Sequence, residues 1–127
     1  MRQQYHRRQS GEDVFIWNVN KLAERANDMP IIDLALSDIA ELDETFWYSD
    51  RDKNMPTCRS VADHAKLIEE TDIKYPILVC PEKRVIDGMH RVCKAYMQRL
   101  SSLKAVVFDP MPEPDYKNID LEELPYD

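Results

Sequence analysis

Apolar positions along the chain switch between a helical spacing and short continuous runs. Leu22, Ala23 and Ala26 share a helical face after Asn18 and Asn20, either of which can cap the helix, and Pro30 stops it. The run IIDLAL (31–36) predicts a strand, after which Ser37 caps a short helical turn through DIAEL. Ser60 with Asp63 makes a capping-box-like start to a helix in which Val61, Ala65 and Ile68 share one face through Thr71. Pro76 then leads into ILVC, a turn at Pro81-Glu82-Lys83, and RVI: a strand–turn–strand hairpin. Gly88 follows, and a helix is predicted from Met89 or His90 to about Leu100, with Val92, Ala95, Tyr96 and Leu100 on its buried face. LKAVVF (103–108) predicts a final strand.

Three stretches lack a period. Residues 1–12 are polar and basic and read as a loose arm. Residues 42–59 mix Phe46, Trp47 and Tyr48 with Asp50, Arg51, Asp52 and Lys53, the kind of long loop that carries function or moves. The last stretch, from 109, is proline-rich and acidic, with Lys117 as its one basic residue. It either wraps the surface or waves free, and Tyr116, Ile119, Leu121, Leu124 and Tyr126 favour partial docking. The expected organisation is an N-terminal arm and helix over 1–28, a core domain over 29–109 and an acidic tail over 110–127.

Composition narrows the chemistry. A chain of 127 residues is one domain with one real core. Its net charge of −7 makes it a poor sequence-independent duplex binder, since duplex affinity rests on Lys and Arg neutralising phosphates. A basic pocket for one small anion remains compatible with that charge. Cys58, Cys80 and Cys93 are odd in number and form no CxxC pair, so a reducing, cytoplasmic setting is expected rather than a disulfide framework or structural zinc. No apolar run approaches the ~20 residues of a membrane span, and the first residues lack the apolar stretch of a signal peptide.

The chain has only two glycines, and Gly88 stands in Val-Ile-Asp-Gly-Met-His-Arg-Val-Cys (85–93), where a strand gives way to a helix. The first N–H groups of a helix lack internal partners and carry partial positive charge, so anions bind there. Arg91 can fork onto two phosphate oxygens and His90 can donate from a ring nitrogen. Asp87 is the expected N-cap. Asp87, Gly88, Met89, His90 and Arg91 are therefore the candidate phosphate-binding residues.

This hairpin and motif, with the helix from Ser60 and the strand at 31–36 in order before them, resemble the ParB-like/sulfiredoxin superfamily over about residues 29–109. The resemblance implies a small α+β domain with a mixed sheet. It also implies a nucleotide (ATP, ADP or CTP, with magnesium) held by its phosphates at the glycine turn. Partition proteins carry Gly-Glu-Arg-Arg, matched here by Gly88 and Arg91. Sulfiredoxins carry Gly-Gly-Cys-His-Arg, matched by Gly88, His90 and Arg91. The free-serine kinase carries Asp-Gly-His-His-Arg, matched by Asp87, Gly88, His90 and Arg91. In each comparison the specialised residue falls on Met89. The pieces LDETFWY, PTCRSVADHA, DGMHR and EPDY…LPYD also resemble a family of small prokaryotic proteins, which implies no activity.

The functional expectation is a phosphate- or nucleotide-binding protein, with ATP/ADP-dependent phosphotransfer as its enzymatic form. His90 and Glu41 would be the catalytic pair, Glu41 (with Asp43 and Glu44 nearby) accepting a proton or holding magnesium as the kinase resemblance asks, the alternative being that these three acids form a solvated turn. The alternatives are a non-catalytic regulatory module whose acidic tail contacts a protein partner, and a DNA-associated protein, against which the charge and the lack of a DNA-reading module count. Arg51, Lys53 and Arg59 either reach toward the nucleotide or balance local acids. Cys93 is a buried small residue or, less expected, a thiol near a helix start. A zinc site from His64 and His90 would need both to converge, plus further ligands. Trp47 and Tyr48 stack on a base or anchor their loop.

Overall fold

The computed structural model describes residues 3–49 and 55–126. Its centre is a four-stranded mixed sheet built from β3 (Ile32–Ala35), β4 (Ile77–Val79), β5 (Val85–Asp87) and β6 (Ser102–Val107), in the order β3-β6-β4-β5. β4 and β6 run parallel, and the outer pairings are antiparallel. The central strands are apolar on both faces because both faces are covered. Ile77, Val79, Leu103 and Ala105 point to one side, where Val92, Ala95 and Met89 of α3 (Met89–Met97) cover them. Leu78, Cys80, Val106 and Phe108 point to the other, against Val19, Leu22 and Ala26 of α1 (Val19–Ala26) and against Trp17. The expected α+β class with a mixed sheet is what forms.

Asn18 caps α1, its side chain accepting from Lys21 N at 3.2 Å. The expectation of a loose arm over 1–12 is overturned for its described residues, 3–12. β1 (Tyr5–Ser10) pairs with β2 (Asp13–Asn18) across a turn in which Gly11 takes a φ of 63°, and Arg8 reaches Cys80 Sγ at 3.0 Å. Charge hid this strand: alternation along a half-exposed ribbon is weak when the outer side chains are arginines.

The acidic tail docks. β7 (Tyr116–Lys117) adds to β2, making a second sheet in the order β1-β2-β7. Trp17 Nε1 donates to Pro112 O at 2.8 Å, Asp115 Oδ2 accepts from Asn18 N at 2.7 Å, and Leu124 is buried. Arm and tail therefore build one layer together.

Three helical expectations need correction. Ser37 makes no cap, and DIAEL becomes two 3₁₀ turns, Leu36–Asp38 and Ala40–Asp43, the first preceded by Ala35. The helix expected to start at Ser60 is α2 (Cys58–Glu70), whose capping box is Thr57 with Ser60, each side chain paired with the other's backbone N–H at 3.0 Å. Its Val61–Ala65–Ile68 face buries nothing fully, and Val61 is 52% exposed. α2 is instead held by polar contacts with α3: Lys94 Nζ donates to Glu69 O at 2.8 Å and Thr71 O at 2.6 Å, satisfying carbonyls at the end of α2. In α3 the buried face is Met89, Val92 and Ala95, whereas Tyr96 and Leu100 are exposed. The helix ends at Met97, so Leu100 falls outside it.

Candidate functional site

The turn between β5 and α3 is shaped by Gly88, which sits at a φ of 107°, a conformation costly for any residue with a Cβ. Gly88, and not Asp87 as expected, is the N-cap, and no side chain caps α3. Asp87 is diverted by Arg91, whose Nη2 donates to Asp87 Oδ2 at 3.2 Å. The helix ladder begins with Val92 N on Gly88 O at 3.0 Å. The N–H groups of Met89, His90 and Arg91 thus precede the ladder and are left to a ligand or solvent.

The Arg91 side chain folds back over the glycine and is only 16% exposed. A Cβ on Gly88 would come within 2.7 Å of Arg91 Nη2 and 2.9 Å of its Nε. Nε itself is buried with no partner among the described residues. Asp87, Gly88, His90 and Arg91 line one wall of an open cleft of about 960 Å³, with Lys21 of α1 and Thr71 among the residues completing it. A smaller, mostly apolar cavity of about 300 Å³ adjoins it, sharing Asp87 and Arg91 and reaching Met29, Tyr75 and Leu78.

Met89 is placed differently from its neighbours. Its side chain is buried in the core between sheet and helix, so only its backbone remains for a ligand at the turn.

His90 turns toward α2. Its Nε2 lies 2.9 Å from His64 Nδ1. Trp47 stacks on both imidazoles, at centroid distances of 4.2 Å from His64 and 4.5 Å from His90, with an interplanar angle of 18° to each. Tyr48 meets His64 edge-on, and Ser60 Oγ lies 3.3 Å from the Tyr48 hydroxyl. Trp47 and Tyr48 thereby anchor the irregular loop to both helices, the second of the two roles expected for them. Burial, followed by the His64 and Arg91 charges, lowers the His90 pKa below its ordinary value.

Glu41 is not part of the cleft wall. It is 3% exposed, its Oε2 accepts from Val85 N at 2.6 Å, and Arg84 Nε lies 3.4 Å away. Arg84 also grips Glu44 with both terminal nitrogens, at 2.9 and 2.6 Å, and that hydrogen-bonded pairing lowers the Glu44 pKa. These two carboxylates fasten the hairpin to the preceding 3₁₀ turn, while Asp43 is exposed. Glu41, expected to act with His90, is absent from the residues lining the cleft that His90 lines.

Cys93 is half-buried, and burial pushes its thiol pKa up, the opposite of activation. Cys80 lies in the core and Cys58 is exposed. Arg59 is exposed, while Arg51 and Lys53 lie outside the described residues. His64 and His90 do converge, yet no group of three or more His, Cys, Asp or Glu among the described residues is placed to hold a metal ion. Free amides, a guanidinium and a neighbouring apolar cavity suit the phosphates and base of a nucleotide. Asp87 is taken by Arg91 and Glu41 by the hairpin, so the described carboxylates do not build a magnesium site of their own.

The His64–His90–Trp47 stack was missed in the sequence because its members come from a loop and two helices far apart in the chain. Among the described residues no helix is long and apolar enough to cross a membrane. Compared with known proteins, the chain matches no family model, and neither a curated protein nor a solved structure is significantly similar to it.

Proposed function

We propose that this protein is a ParB/sulfiredoxin-like domain that binds a nucleotide, or another phosphate-bearing ligand, at Asp87–Arg91. One observation carries the reading: α3 opens with uncapped amides directly beneath a glycine, beside a largely buried arginine at the wall of a cleft. Lys21 across the cleft adds a second cation, and the apolar cavity beside Arg91 offers space for a base against Tyr75. Binding without turnover is favoured over phosphotransfer. Met89 supplies no reactive group and is buried in the core, and Glu41 is committed to the hairpin.

Thermal unfolding with ATP, ADP, CTP and inorganic phosphate tests this reading. A ligand at 100 times its Kd stabilises by about 2.7 kcal/mol. At least one of these ligands raises the melting temperature of the wild type, and Arg91→Ala removes the rise. Unchanged melting with all four would sink the proposal.

A further inference from the structure

His90 has two ring nitrogens, and the contact with His64 occupies one of them. A bond between Nδ1 of His64 and Nε2 of His90 at 2.9 Å needs one donor and one acceptor. The indole of Trp47, lying at 18° to both rings, holds them close to one plane and opposes the ring rotation that would break the bond. His90 is among the residues lining the cleft, and Nδ1 is the ring nitrogen that the contact with His64 leaves over.

The surroundings decide which nitrogen carries the proton. The start of α3 is positively polarised, and the Arg91 guanidinium lies one position along the chain. An imidazole in such a field is stabilised with its lone pair toward the positive end and its N–H away from it. Asp87 favours the reverse, and because it is paired with Arg91 at 3.2 Å the two charges largely offset each other, leaving the amides at the helix start to decide. Burial also lowers the His90 pKa, which favours the neutral ring. The state these surroundings favour is N–H on Nε2, donating to His64 Nδ1, with Nδ1 bare.

We propose that His64 fixes His90 as a hydrogen-bond acceptor beside the phosphate seat, so that the cleft selects phosphate esters that also carry a hydroxyl. This deepens the phosphate-binding reading and rests on it. The amides and Arg91 hold the anion, and His90 Nδ1 receives the hydroxyl proton in a hydrogen bond. An ester without a hydroxyl leaves that acceptor unpaired once water is displaced. His64 is a positioning residue, acting through His90.

Two measurements on the intact chain test the proposal. Long-range ¹H–¹⁵N correlation of the histidines at neutral pH is expected to show His90 protonated on Nε2 and bare on Nδ1. Calorimetric titration then compares 3-hydroxypropyl phosphate with propyl phosphate, and the hydroxyl compound is expected to bind about three- to tenfold tighter, the worth of one hydrogen bond. His64→Phe, which can still stack under Trp47, brings that ratio close to one while propyl phosphate still binds. His64→Asn, whose amide oxygen can accept from His90 Nε2, restores it. Equal binding of the two esters by the wild type, or a proton on Nδ1, overturns the hydroxyl selection alone. Failure of both esters to bind overturns the phosphate reading and this proposal with it.

Discussion

Gly88 and Arg91 approach each other more closely than any side chain at position 88 would allow. An added Cβ would lie 2.7 Å from the Arg91 guanidinium and 2.6 Å from Ile77 Cγ2. The glycine thus serves two purposes: it turns the chain at a φ of 107°, and it leaves room for a cation to fold over the helix start.

Gly88→Ala is accordingly expected to destabilise by about 2–4 kcal/mol, combining backbone strain with overpacking against Ile77. Urea unfolding measures it. A loss below about 0.5 kcal/mol would mean that the turn relaxes freely and that the close approach is not a constraint.

Glu41 separates a structural carboxylate from a functional one. Glu41→Ala leaves the buried Val85 N–H unpaired and removes a partner of Arg84, at a cost of about 1–3 kcal/mol. Ligand-induced stabilisation at the glycine turn should survive the change. Loss of ligand binding in a folded Glu41→Ala protein would restore Glu41 to the site.

The tail gives a similar contrast. Asp115 binds the N–H of Asn18 at 2.7 Å and sits 3.4 Å from Lys21 Nζ, at the start of α1. Asp115→Ala should cost about 1–2 kcal/mol, and removal of residues 113–127 more, since β7 and buried Leu124 go with it. Denaturant midpoints check both. Truncation without loss of stability would make the tail an accessory rather than part of the second sheet.

Acidification should destabilise the fold through His6. Burial, aided by the Arg8 charge, lowers its pKa to about 4, and its ring packs on Trp17. The unfolded chain takes up this proton near pH 6.5 and the folded chain only near pH 4, so the unfolded form binds more protons between them. His6 therefore contributes its stability fully above about pH 6.5 and loses it as the pH falls toward 4. The loss is on the order of 3 kcal/mol. His6→Phe, which keeps the ring without the titration, should flatten that part of the pH–stability curve, and an unchanged slope would refute the assignment.

How much of this could be read in advance varies by residue. The strands at 31–36, 77–80 and 103–108 and the helix after Gly88 are legible because continuous apolar runs and a 3.6-residue period each have few alternatives. β1 is not legible, since its arginines hide the ribbon pattern; the docking of the tail is legible from its tyrosines and leucines, but its partners about 100 residues away are not. The glycine turn into α3 is legible too, because its chemistry is local. The diversion of Asp87 to Arg91, the burial of Met89 and the stacking of Trp47 on two histidines are decided by packing among elements, which no local pattern reports.

Amide mapping of the glycine turn reaches the central claim most directly. In a ¹H–¹⁵N titration of the whole chain with inorganic phosphate and with ATP, the amides of Met89, His90 and Arg91 should show the largest saturable shifts, lost in Arg91→Ala. Saturable shifts centred elsewhere, or none at those three amides with either ligand, would contradict the account.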